Sequence, residues 1–159
     1  MNNLEKELIE KVGVYDWVNE MNQRYFFSPA ERLVNANQSI VKDTVRKVGY
    51  HVGYFRSSKT YNVPTKLAST IFYGNFHVAY GYVVFDLFAR KNDLKIGAQL
   101  DIWCKQYEGA IGVEREKYIF PPCIRNYEEL RDILREYFVL YEKFKVAVHE
   151  SGFYASVES

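Results

Sequence analysis

Tyr127-Glu-Glu-Leu-Arg-Asp-Ile-Leu-Arg-Glu-Tyr-Phe-Val-Leu-Tyr-Glu-Lys-Phe-Lys-Val-Ala-Val-His149 is the stretch on which the reading of this chain turns. Leu130, Ile133, Leu134, Tyr137, Phe138, Tyr141, Phe144 and Val148 recur at helical spacing, with charged residues between them. Asn126 and Glu129 form a capping box in front. The stretch therefore predicts a helix of roughly 22 residues, about 33 Å long at 1.5 Å per residue. Its apolar stripe needs a surface to cover, and the residues upstream supply a sheet. The stripe is also wide enough for Tyr137, Tyr141 or Phe144 to meet a second subunit, so a homo-oligomer stays open.

Pro121-Pro122 cannot continue a β-ladder and ends that sheet. Before it, Ile96, Ala98, Leu100, Ile102 and Cys104 face one way while Lys95, Gln99, Asp101, Trp103 and Lys105 face the other, which predicts a strand over Lys95 to Lys105. Lys91-Asn92-Asp93 reads as the turn from a strand at about Val78 to Arg90, and Tyr107-Glu108-Gly109 as the turn into one at about Ala110 to Ile119. Tyr50 to Arg56 is a further strand candidate. The strand of residues 78–90 is apolar on both faces, so helices, a subunit or a ligand cover each side.

In the N-terminal third, Leu4, Leu8, Val12, Tyr15, Val18 and Met21 mark an amphipathic helix, with Gly13 as the place for a kink or a break into two. Ser28-Pro29-Ala30-Glu31 is a capping box that starts another. Ile40, Val41, Thr44, Val45 and Val48 continue a helical stripe up to Gly49, leaving open at residues 35–39 whether 29–48 is one helix or two. The expected fold class is α+β. It comprises an antiparallel meander of about four or five strands, a helical N-terminal third, and a long C-terminal helix packed on the sheet. Residues 1–159 form a single domain.

A hydrophobic fraction of 48%, with 14 Tyr and 11 Phe, is too high for a disordered chain. The formal charge of +1 removes the simplest argument for a nucleic-acid or anionic-membrane partner. The N-terminus has no apolar run of the length a signal peptide needs, and the run from Val78 to Phe85 is too short to span a membrane. Cys104 and Cys123 read as reduced, buried thiols rather than a disulfide framework. A cytoplasmic location is expected.

The chain lacks a Gly-rich phosphate loop, a His-Glu-x-x-His, a Cys-x-x-Cys and a nucleophile-elbow serine. His51, His77 and His149 show no metal-ligand spacing. Asp86, Asp93 and Lys95 are a faint match to the carboxylates and lysine of metal-dependent nucleases, and are better read as turn and strand charges; Glu114, Arg115 and Glu116 read as a solvated strand face. No catalytic residue, metal or cofactor is therefore expected.

Two surfaces stand out. Lys42, Arg46, Lys47, Arg56, Lys59 and Lys66 are interleaved with Tyr50, Tyr54, Phe55 and Tyr61, a mixture able to neutralise phosphates and stack on bases, or to hold an acidic protein or a small anionic ligand. Trp103, near Tyr107 and on the polar side of its strand with Gln99 and Asp101, has the character of an interface anchor, or equally of a residue covered by a helix. The expected function is a non-enzymatic binding protein that occludes a protein partner, of the immunity, antitoxin or phage accessory type. The alternatives are a nucleic-acid module through residues 42–66, and a small-ligand-binding protein or metal-dependent enzyme.

Overall fold

A computed structural model describes residues 1–116 and 118–153. Five α-helices and six strands follow one another as α1 (Asn3–Val12), α2 (Val14–Arg24), α3 (Gln38–Val48), β1 (Gly53–Phe55), β2 (Thr60–Asn62), β3 (Pro64–Leu67), β4 (Thr70–Ala79), β5 (Tyr82–Lys91), β6 (Leu94–Gln99), α4 (Leu100–Ile111) and α5 (Tyr127–Glu150). The sheet is antiparallel throughout, in the order β1-β2-β4-β5-β6, and β3 also pairs with β4. The fold is α+β, as the sequence predicts.

Helix α5 keeps its predicted place and role. Asn126 Oδ1 accepts from the Glu129 backbone N–H at 2.8 Å, while the Glu129 carboxylate reaches back to the N–H of Arg125, not of Asn126. Every residue of the predicted stripe is buried. Tyr137 and Tyr141 bring hydroxyls as well as rings to the sheet: Tyr137 OH lies 2.8 Å from the Asp86 carbonyl, and Tyr141 OH 2.9 Å from that of Phe72. Gly74 on β4 permits this approach, because a Cβ there would sit 2.9 Å from the Tyr141 ring. The stripe is thus used within the chain, and Tyr137, Tyr141 and Phe144 fill the space between helix and sheet.

The N-terminal third divides where glycine and an extended residue stop each helix. Gly13 adopts φ 81° and separates α1 from α2. The Ser28 box forms, with the Ser28 N–H donating to Glu31, but Arg32 turns extended after a single 3-10 turn. Asn37 then caps α3, so 29–48 holds one helix and one short turn.

The predicted strand over residues 95–105 is overturned at its midpoint. Strand β6 ends at Gln99 and α4 begins at Leu100. Leu100, Trp103, Cys104 and Glu108 are buried at i, i+3, i+4 and i+8, whereas Ile102 is 46% exposed. Leu100 and Cys104 share a face under either period, so the string fits both. The helix wins because it buries the indole of Trp103, which offers more apolar area than Ile102. The expected strand at 110–119 is likewise absent among its described residues: α4 runs to Ile111, Gly112 closes it at φ 76°, and 113–116 and 118–119 are irregular. Lys117, within that expected strand, lies outside the described residues. The expected strand at 78–90 is corrected at its start: Val78 and Ala79 end β4, Tyr80-Gly81 form a two-residue turn with both residues at positive φ, and β5 begins only at Tyr82.

Candidate functional site

Among the described residues, helices cover one face of the sheet only. On that face Phe72, Phe76, Val83, Phe85, Leu87, Ala89 and Ile96 are buried beneath α4 and α5. The alternate residues of β4, β5 and β6 point the other way, and most remain in contact with solvent: Ile71, Tyr73, His77, Val84, Asp86, Phe88, Arg90, Lys95 and Gln99. The side of β5 that the sequence reading left for a helix, subunit or ligand to cover is therefore open as far as the described residues go.

Register arranges this face in rows. Lys66, Ile71, Arg90 and Lys95 are successive partners across β3, β4, β5 and β6. The next row is Pro64, Tyr73, Phe88 and Gly97, and the third is Asn75, Asp86 and Gln99. Tyr73 and Phe88 stack with centroids 4.6 Å apart and planes 17° from parallel. Lys95 Nζ sits 4.5 Å from the Phe88 centroid on the same strand pair. Gly97 holds φ 101°, and a Cβ there would meet the Leu87 carbonyl at 2.1 Å, so glycine is required beneath these rings. Burial raises the Asp86 carboxyl above its ordinary value, Asp101 adds to the rise, and His77 and Lys95 oppose it.

The residues singled out by sequence are dispersed. Trp103 is fully buried, its ring edge-on to Phe144 at 6.1 Å, so it is no surface anchor. The helix at 100–111 is the reason: it turns Trp103 inward. Tyr107 is half-buried against Tyr15 and donates to Glu10 at 3.1 Å, while Gln99 precedes α4 and its side chain donates to Asp101 at 2.7 Å. Lys42, Arg46 and Lys47 lie on α3 in the helical layer, Arg56 and Lys59 at the β1–β2 turn, and Lys66 on the open sheet face. Asp86 and Asp93 are not neighbours, since Asp86 pairs with Gln99 whereas Asp93 lies in the turn beyond Lys91 and Leu94. Lys95, which sequence reasoning took for an ordinary strand charge, and Arg90, which it gave no role, join Lys66 only through the register.

A second feature is a cavity of about 550 Å³ beside α4, lined by Asp101, Ile102, Lys105, Glu108, Arg115 and Tyr118 among others. Its floor is a closed network. Arg115 holds the buried Glu108 carboxylate at 2.9 and 3.2 Å and also reaches Asn19 at 2.9 Å, while Tyr15 OH donates to Glu108 at 2.7 Å. Burial, then the bond to Glu108, raises the Tyr15 hydroxyl above its ordinary value. With these donors and acceptors matched to each other, the network braces the segment after α4 against α2.

Among the described residues no group of three His, Cys, Asp or Glu side chains could hold a metal ion, and no helix is long and apolar enough to cross a membrane. Both cysteines are free and buried, and burial pushes the Cys104 thiol up to about 12, far from a reactive thiolate. In comparisons with known proteins, no family model, no curated protein and no solved structure matches the chain.

Proposed function

We propose that this protein is a non-enzymatic binding module that docks a protein partner on the open face of its sheet and acts by occluding the surface it covers. One observation carries the reading: β4 and β5 seal one face under helices and leave Ile71, Tyr73 and Phe88 adjacent on the other, with Val84 on the same face beyond the Asp86 row, all half-buried with no helix over them among the described residues. Such a patch gains free energy when a second surface removes its remaining contact with water. Rings held by a cross-strand stack need little further ordering to bind, which favours an aromatic anchor. The nucleic-acid reading draws less support, because the six basic residues of 42–66 are divided between α3, a turn and β3. Free, buried cysteines support a reducing, cytoplasmic setting.

The test compares Val84→Asp, on the open face, with Val146→Asp, on the exposed side of α5. Tagged wild type and both variants are recovered from host cells after their melting curves have shown them folded. Val84→Asp loses the protein that wild type and Val146→Asp retain. Retention by a folded Val84→Asp refutes the docking face, and recovery of nucleic acid in place of protein refutes the partner class.

A further inference from the structure

Arg90 and Lys95 are directly opposite each other on β5 and β6, and Lys66 continues their row two strands away, beyond Ile71. All three are exposed, and none forms an ion pair with an acid among the described residues. Like charges placed opposite one another across an antiparallel pair are destabilising. Protection of a sheet edge by lysine accounts for Lys95 on β6 and Lys66 on β3, each of which pairs with a single strand. It does not account for Arg90, because β5 is an interior strand with β4 on one side and β6 on the other.

Resting on the docking face proposed above, we infer that the partner presents an acidic protein surface whose carboxylates meet Lys66, Arg90 and Lys95. The row sequence then fixes an orientation. Acidic side chains of the partner lie over Arg90, apolar ones over Tyr73 and Phe88, and hydrogen-bond donors over Asp86 and the side-chain oxygen of Gln99. A nucleic-acid strand with its phosphates on the same cations is disfavoured by two features of the face. Tyr73 and Phe88 cover one face of each other and Lys95 covers the second face of Phe88, so that ring has no free face for a base. Asp86 stands in the next row, where its charge repels phosphate.

The experiment combines neutralisation with a zero-length cross-link. Wild type, the triple variant Lys66→Gln/Arg90→Gln/Lys95→Gln, the single variant Arg90→Gln and the control Lys42→Gln/Arg46→Gln/Lys47→Gln are used for capture at about 50 mM salt. A carbodiimide, which joins an amine to a carboxylate in contact with it, is then added and the products are mapped by mass spectrometry. Lys66 or Lys95 becomes linked to an Asp or Glu of the captured protein. The triple variant captures about tenfold less, as expected for the loss of three exposed ion pairs, Arg90→Gln loses part of this, and the control matches wild type. If the triple variant captures as well as wild type while Val84→Asp does not, the acidic assignment falls and the docking face stands. If both capture as well as wild type, the docking face itself falls. Recovery of an oligonucleotide, or cross-links confined to other lysines, overturns the inference.

Discussion

Replacing Trp103 is the sharpest test of the helix at 100–111. The indole is fully buried, packs edge-on to Phe144, and its Nε1 has no hydrogen-bond partner among the described residues. Truncation of a buried aromatic to alanine removes its transfer free energy and leaves a cavity, at a cost of about 3–5 kcal/mol. For a chain of this length each kcal/mol lowers the melting temperature by about 2–4 °C, so Trp103→Ala should melt roughly 6–20 °C below wild type. Trp103→Phe separates volume from chemistry. It keeps much of the ring packing and deletes an N–H whose unsatisfied burial costs about 1–3 kcal/mol, so its net penalty should stay below about 1.5 kcal/mol. Thermal melts and urea titrations followed by circular dichroism measure both variants, with unchanged urea slopes confirming that the comparison is one of stability. A strand in which Trp103 faced solvent would give Trp103→Ala a melt within about 2 °C of wild type, the typical range of surface substitutions, and that result would refute the packing described above.

Two further outcomes follow from the electrostatics. Arg115→Met should cost more stability than Glu108→Gln, about 1–3 kcal/mol by urea midpoint, because it leaves a buried carboxylate supported by Tyr15 alone; equal or reversed costs would contradict the network. Asp86 binds its proton more tightly in the folded state, so its contribution to stability is present below its ordinary value of 3.8 and is lost as pH rises through its raised folded value. Asp86→Asn should therefore raise the melting temperature at neutral pH and give little gain at pH about 3, where the native residue is already neutral. A gain independent of pH would point to packing instead.

Local chemistry in the sequence determined α5 and the β5–β6 turn, and marked Gly13 as the place for a kink or a break. Asn126 caps α5, Gly13 and Gly49 end helices in the left-handed region, and eight apolar positions at helical spacing tolerate no other element. Part of the open face was also within reach. Once Asn92-Asp93 is set as a two-residue loop closing Lys91 on Leu94, Arg90 must face Lys95. What tertiary structure alone decided was the fate of residues 100–111 and the composition of the site. Leu100 and Cys104 satisfy a period of two and a period of 3.6 equally well, and only the availability of a core site for Trp103 separates them. Lys66 joins Arg90 and Lys95 only because β3 pairs with β4, a contact that no local pattern encodes. Which of two apolar strand faces receives the helices depends on how α5 lands, and that depends on Gly74 leaving room for the Tyr141 ring.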